Sequence, residues 1–570
     1  MIKDFCRKID EYKYPIRIIW IFLAIWLAVN LIQSAFTELH PDEAYYWMYS
    51  RWLAWGYFDH PPMIAFLVKT GYLLFKNELG VRLLTSIMGA GTLYFIYLLV
   101  KDQLKNLSVL ILLLLSVLIV QSHIGGFLAI PDLPLVFFSV VFLYLYKKYV
   151  DQDNFTLAVL LGVVASLMLY SKYHAVLVLF FTLISNLKLF RRLSFWIIPI
   201  IIILALLPHL FWQIKNNFPT FEYHLISRSS AYKLDHSINY LYSQLLISGP
   251  LIGIIIYYHS FKLKVKDNLF LRALKFNFIG FMAFFFLMSF KGHVEPHWTA
   301  VAYIAGIVLT TISIQNNEKA KKWLRVLVLP TVLLFLLIRF ILIFDVLPDS
   351  VKIDKDFHNW DAWADVIKKR ADGKKVVFVD SFQRPSKYAF YTGGDFVHVL
   401  NSIHYRKNQF DIWHGEDSIQ GRSVLLMKSY IPNDTLITSN GEFRIKDYDK
   451  FYSYFNIKIK PDCKRIKAVP EQELDISIEI ENTRNDTLKF RSSEPGFAPR
   501  IVLNFHDGKH FLSPQQLQFL TGDILVGESE EMNLHFTAPP VKGVYYCYLS
   551  INNDRLRPPL NSKPFELIVE

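Results

Sequence analysis

The sequence predicts a polytopic α-helical membrane protein of about eleven spanning helices, followed by an extracytoplasmic α/β segment and a small β-sandwich. Three observations lead there. Of the 570 residues 53% are hydrophobic, and the excess lies before about residue 345. Within that part, apolar runs recur that are long enough to cross a ~30 Å hydrocarbon core, which takes roughly 17–25 residues. The short basic stretches between the runs alternate onto one face.

The runs fall near 16–36, 81–100, 107–124, 128–147, 155–171, 174–190, 194–213, 240–259, 272–290, 298–315 and 323–344. The pair 155–171 and 174–190 is tight enough to be broken helices. A weaker run from Met63 to Phe75 reads as a short interfacial helix. The N-terminus is basic and lacks a clear small-residue cleavage site, so the first run reads as an uncleaved helix. With the N-terminus inside, Lys101–Lys105, Lys147–Lys148, Lys188–Arg192, Lys262–Lys266 and Lys319–Lys322 all fall inside, as the positive-inside rule requires. The outer face then receives 37–80, 122–128, Ser171–His174, 214–239, 291–297 and everything after about 345. This predicts a multi-pass protein of the cytoplasmic membrane with its C-terminal part outside.

Three domains follow: a membrane domain over 1–345, an α/β domain over 350–458 and a β-sandwich over 460–570. Lys374–Asp380, Phe396–Leu400 and Ser423–Met427 read as strands, with a short helix over Pro385–Tyr391. Leu474–Ile480, Arg500–Phe505, Met532–Phe536, Tyr545–Ile551 and Phe565–Val569 then alternate as sandwich strands do. The cysteines are Cys6, Cys463 and Cys547, with no CxxC or His/Cys metal spacing. Pairing of Cys463 with Cys547 and two free buried thiols both remain open. The net charge of +12 is distributed as membrane loops, with no basic patch interleaved with aromatics, which sets nucleic acid aside.

The stretch Glu38–Pro62, ELHPDEAYYWMYSRWLAWGYFDHPP, follows the first run directly. It carries Asp42, Glu43 and Asp59 with His40 and His60 around a segment rich in Trp and Tyr. Such a segment belongs at a membrane–water interface, where its acids are either solvated or placed for acid/base chemistry. Three further polar stretches fall on the same face. Asp132 stands in AIPDLPLVFF near a helix start, as a dipole-stabilised acid or a site acid. Lys172 and Tyr173 interrupt an apolar stretch, where a lysine either snorkels or serves a function. Lys291-Gly292-His293-Val294-Glu295-Pro296-His297 fills a short loop whose His-x-Glu-x-His spacing also offers divalent-metal ligands. Arg228 lies in the larger loop Phe221–Lys233 as a solvated or anion-facing group.

The loop HPDEAYYW followed by YFDHPP resembles the first outer loop of polyprenyl-phosphate-sugar glycosyltransferases of the GT-C type, the relatives of protein O-mannosyltransferases and of the lipid A aminoarabinose transferase. The resemblance spans roughly residues 15–345. It implies a GT-C-like fold with Asp42 as the catalytic residue. The family's usual Glu-Lys-Pro-Pro is here Asp59-His60-Pro61-Pro62, which puts His60 where a phosphate-facing lysine is expected. Relatives carry a similar Pro-Asp-x-Pro-Leu element close to the site, which implies a role for Asp132. They also carry a lysine motif near the donor phosphate where Lys291 stands, and they are generally taken to work without a catalytic metal.

The implied reaction is inverting transfer of a sugar from a polyprenyl-phosphate donor, such as undecaprenyl phosphate, to a hydroxyl of a lipid, glycan or protein acceptor. Asp42 would be the base, with Asp132 and Glu43 beside it. Lys172, Tyr173, Lys291, His60, Asp59, His293, His297 and Arg228 would surround the donor. Glu43 has a second reading as the partner of a structural group, because adjacent helix residues do not share a face. A transporter or flippase of lipid-linked saccharides is the alternative, but ionisable groups would then sit near mid-membrane. A membrane-anchored binding protein displaying the β-sandwich leaves ten of the eleven runs unexplained.

Overall fold

The computed structural model describes residues 15–102, 106–224, 232–265, 267–348, 354–394, 397–413, 415–430, 432–493, 497–553 and 556–570. Cys6, Lys105, Arg228, Lys266 and Phe396 lie outside them. The chain forms two compact units, Met1–His358 and Asn359–Glu570.

The first unit is helical. Among the described residues seven helices are long and apolar enough to cross a membrane: Ile16–Phe36, Glu78–Val100, Asp132–Asp151, Leu193–Lys215, Leu269–Met288, Pro296–Ile314 and Glu318–Ile343. Met63–Leu74, Phe155–Ser171 and Ala175–Ser185 are shorter apolar helices. The eleven runs read from hydropathy therefore do not become eleven full-length helices. The run 107–124 divides into Asn106–Val117 and Val120–Phe127. The run 240–259 divides into Leu234–Ile247 and Gly253–Lys262, around Gly249 at φ 104°. A 12-residue helix rises only about 18 Å. Average hydropathy continues across such a break and does not register it.

Local sequence explains where helices begin. The side chains of Asn77, Asn154, Asn268 and Asn317 each accept a hydrogen bond from a backbone N–H of the first turn, satisfying a donor with no intrahelical partner. Gly71 and Gly80 let Met63–Leu74 lie against Glu78–Val100; a Cβ on Gly71 would meet the Gly80 carbonyl oxygen at 2.2 Å. The core runs through Leu112, Leu143, Ala165, Phe278, Phe281 and Val308. Ile200, Ile203, Leu204 and Phe211 point outward along one helix, a contiguous apolar surface suited to hydrocarbon rather than water.

Two arginines lie buried among these helices. The Arg339 guanidinium donates from Nη2 to Asn30 Oδ1 at 2.7 Å and from Nε to His123 Nδ1 at 3.0 Å, tying the last helix to the first. Arg82 serves the candidate site.

In the second unit β1 (Lys375–Val379), β2 (His398–Leu400), β3 (Arg422–Met427), β4 (Asp434–Thr438) and β5 (Gly441–Phe451) form one sheet in the order β2-β1-β3-β5-β4. The pairs β1–β2 and β1–β3 are parallel; β3–β5 and β4–β5 are antiparallel. Helices Trp360–Ala371 and Gln383–Thr392 accompany it. A strand-rich part follows. Arg500–His506 pairs with Gly543–Asn552, which pairs with Phe565–Val569; Glu473–Glu481 pairs with Ser529–Thr537. Ile478, Ile480, Leu503, Phe505, Leu549 and Leu567 fill the space between them. Cys463 and Cys547 are free thiols at this core.

Candidate active site

The site begins with the helix Pro41–Arg51. Pro41 occupies the first helical position, where a missing N–H costs nothing. His40 Nδ1 accepts from the Asp42 N–H at 3.3 Å, and Glu43 Oε2 accepts from the His40 N–H at 2.9 Å, closing a capping box. The box directs the two adjacent acids to different ends.

Glu43 is fully buried. Its Oε1 accepts from Arg82 Nε at 2.7 Å and from the Ala129 N–H at 2.7 Å; its Oε2 accepts from Arg82 Nη2 at 2.5 Å. Arg82 gives its remaining donors to the carbonyls of Ser34, Thr37 and Glu38. Burial alone would raise the Glu43 carboxyl; Arg82 and the two backbone donors outweigh it and hold it below the usual carboxylate range. Glu43 thus fixes the loop to the helix Glu78–Val100 and has no oxygen to offer a substrate. Of its two readings from sequence, the structural partner is the one that the geometry provides.

Asp42 keeps a side chain 38% exposed, 3.9 Å from His40 Nδ1. Asp59 is buried; its carboxylate accepts from Tyr49 Oη at 3.2 Å and its carbonyl contacts His224 Nε2 at 3.1 Å. The Tyr46 ring lies edge-on to His60 at 5.6 Å. Burial first, then the charges of Asp42, Asp59 and Asp132, push the Tyr46 hydroxyl well above its usual range, so all three acids lie around this ring.

Asp132 and Lys172 meet there from different helices. Lys172 Nζ donates to both Asp132 oxygens at 2.8 Å, and the two side chains are only 4% and 7% exposed. His297 Nε2 lies 3.6 Å from the same carboxylate. His174 beside them is held well below the usual histidine range by burial and by the Lys172 charge, so its ring is neutral. The charge of Lys172 is balanced by Asp132. Tyr173 turns away, with its hydroxyl 2.9 Å from His209 Nε2.

That histidine straps the first loop to the helix Ile197–Lys215. His209 Nδ1 lies 2.6 Å from the Trp55 carbonyl, and Thr220 Oγ1 donates to the Tyr57 carbonyl at 3.2 Å. Gly56 fits beneath Trp212, whose Cε3 would lie 2.5 Å from a Cβ. In the loop after Met288 the two histidines part: His293 Nε2 lies 3.6 Å from Glu295 while His297 faces Asp132. The His-x-Glu-x-His spacing accordingly does not converge on one point. Lys291 is exposed. Arg228 lies outside the described residues.

Arg82, His209, Tyr46 and Tyr49 were not singled out from sequence. Arg82 had a signal, since an arginine inside an apolar run is expensive and implies a buried partner. The other three look like ordinary interfacial aromatics and a helix histidine.

The fold is that of a polytopic membrane protein of the GT-C type, and its first loop meets a cluster of acids, a paired lysine and the neutral His174. Residues 59–212 match the dolichyl-phosphate-mannose-protein mannosyltransferase family. The lipid A galacturonosyltransferase RgtD of Rhizobium johnstonii is 23% identical over 313 residues, 50% of this chain; the match spans 62% of that relative's length. An uncharacterized protein of Aquifex aeolicus is 32% identical over 117 residues, 20% of this chain and 23% of its own. Two crystal structures of ArnT from Cupriavidus metallidurans share the fold at 13% identity. The apo form gives a TM-score of 0.58 over 75% of this chain and 97% of ArnT. The form bound to undecaprenyl phosphate gives 0.57 over 76% and 98%.

Proposed function

We propose that the protein is an inverting glycosyltransferase that moves a sugar from a polyprenyl-phosphate donor to an acceptor hydroxyl on the outer face of the cytoplasmic membrane. The observation that carries this reading is the half-exposed Asp42 carboxylate beside the sealed Asp132–Lys172 pair. Asp42 takes the proton of the acceptor hydroxyl. The acceptor oxygen attacks the anomeric carbon, the bond from that carbon to the phosphate oxygen breaks, and the polyprenyl phosphate leaves with the electron pair. One displacement inverts the centre. Lys172, held in place by Asp132, offsets the charge on the departing phosphate, with Lys291, His60 and His297 lining its path. Asp59 orients His60 from the adjacent position, Tyr173 braces the donor side through its contact with His209, and His293 and Arg228 act at the rim.

The transferase activity belongs to the membrane part, 1–345, and segments 350–458 and 460–570 are extracytoplasmic. A lipid or lipid-linked glycan acceptor is favoured over a protein by the similarity to a lipid A galacturonosyltransferase. Mass spectrometry of lipid that copurifies with the full chain tests the donor class. A sugar on undecaprenyl phosphate is expected. Failure to retain any polyprenyl phosphate, together with no transfer from undecaprenyl-phosphate-linked sugars, would remove the proposal.

A further inference from the structure

Just beyond the last long helix, Glu318–Ile343, three potential metal ligands converge. Asp345, Asp354 and His358 each present one ligand atom within 4.8 Å of the others. His358 Nε2 lies 3.0 Å from Asp354 Oδ2 and 2.9 Å from the Ile341 carbonyl oxygen. The Asp354 side chain is 1% exposed, and neither of its oxygens accepts a hydrogen bond among the described residues. Asp345 is exposed and opens the cluster to solvent.

A buried carboxylate is ordinarily hydrogen-bonded, paired or bound to a metal. Here it lies beside an imidazole nitrogen that also faces a carbonyl oxygen. A nitrogen carries at most one proton, so hydrogen bonding alone serves these two acceptors poorly. A cation serves both. Coordination bonds of about 2.0–2.2 Å place neighbouring ligand atoms about 3 Å apart, as His358 Nε2 stands to Asp354 Oδ2 and to the Ile341 oxygen. The second carboxylate supplies the negative charge that a divalent ion requires. One imidazole with two carboxylates and a carbonyl, without thiolate, suits zinc or manganese.

We propose that Asp345, Asp354 and His358 bind one divalent transition-metal ion of the zinc or manganese class. None of these residues belongs to the acid–lysine cluster around Asp132. The ion acts as a clasp. The Phe357 ring lies 5.6 Å from the ring of His40, the residue that caps the helix bearing Asp42. Fixing 354–358 to the end of the last helix also steadies that cap.

The test uses the full chain in detergent, stripped with chelator and titrated with Zn²⁺ and with Mn²⁺ by calorimetry, with manganese followed by electron paramagnetic resonance. One ion per chain is expected, with a rise in unfolding temperature on binding. His358→Gln and Asp354→Asn should weaken binding at least about 10-fold. Asp345→Asn serves as the variant safest for folding, because the residue is exposed, and should weaken binding comparably. His293→Gln combined with Glu295→Gln should leave binding unchanged. Absence of binding by the wild type, wild-type affinity in Asp345→Asn and in His358→Gln, or loss that follows His293 and Glu295 instead would each overturn the proposal.

Discussion

Lys172 Nζ lies 2.8 Å from both carboxylate oxygens of Asp132, in a pair almost sealed from solvent. The two residues come from sequence positions 40 apart. Their closeness changes what each can do. An acid held by a lysine is a weak candidate for proton acceptance, and a lysine held by an acid is a positioned counterion rather than a free charge. Removing one partner of such a buried pair leaves the other uncompensated, which costs about 3–5 kcal/mol. Asp132→Asn and Lys172→Met should therefore each lower the unfolding temperature as well as transfer. Asp132→Leu with Lys172→Met should recover most of the stability while transfer stays lost. A double variant that regains transfer would show the pair to be structural only.

Glu43 and Arg82 make a different prediction. Glu43→Gln should destabilise the membrane part by about 3–5 kcal/mol, since it leaves the Arg82 charge buried without its partner. The pH dependence has a defined sign. The folded Glu43 carboxyl is held below its ordinary value, so its contribution is complete above the unfolded value of about 4.3. It is lost as pH falls through the folded value. Thermal unfolding followed at decreasing pH should show a shallower acid limb in Glu43→Gln than in the wild type.

Gly56 tests the strap between the first loop and the helix Ile197–Lys215. A Cβ there would lie 2.5 Å from Trp212 Cε3 and 2.9 Å from His209. Gly56→Ala should cost about 1–3 kcal/mol through overpacking and should reduce transfer by displacing the loop. Gly56→Ala with Trp212→Ala should relieve the overlap and restore part of both.

The orientation rests on the one-sided basic loops. In a chain lacking Cys6, Cys463 and Cys547, Ser439→Cys should react with an impermeant thiol reagent on intact cells, and Lys319→Cys should not. Both positions are exposed in the structure. Labelling of the second alone would invert the topology and move the acid cluster to the wrong side for the proposed reaction.

Much of this was legible in the residues. The run of charge-poor segments before about residue 345 identified the membrane part, and HPDEAYYW with YFDHPP located the loop on which the acids sit. The regular strands of the C-terminal part, such as Glu473–Glu481 and Arg500–His506, followed from alternation. Helix breaks did not, because Leu118–Ile119 and the turn at Gly249 lie inside runs whose average hydropathy never falls. The strand Gly441–Phe451 was missed because GEFRIKDYDKF is dense in charge, although Asn440-Gly441 is a hairpin signal. Pairings across the fold, Arg82 with Glu43 and Lys172 with Asp132, join residues 39 and 40 positions apart. No local pattern specifies such partners. An arginine at membrane depth says only that one must exist.

The central claim is that Asp42 is the base. Asp42→Asn preserves the shape of a side chain that is 38% exposed, so folding and membrane insertion should be unchanged. Transfer from undecaprenyl-phosphate-linked galacturonic acid, aminoarabinose and mannose, measured in proteoliposomes as a single turnover with copurified lipid extract as acceptor, gives the direct comparison. For whichever donor the wild type uses, the variant should transfer about 10²–10⁴ times more slowly while binding undecaprenyl phosphate with affinity within about two-fold of the wild type. Transfer by Asp42→Asn within a few-fold of the wild-type rate would contradict the account.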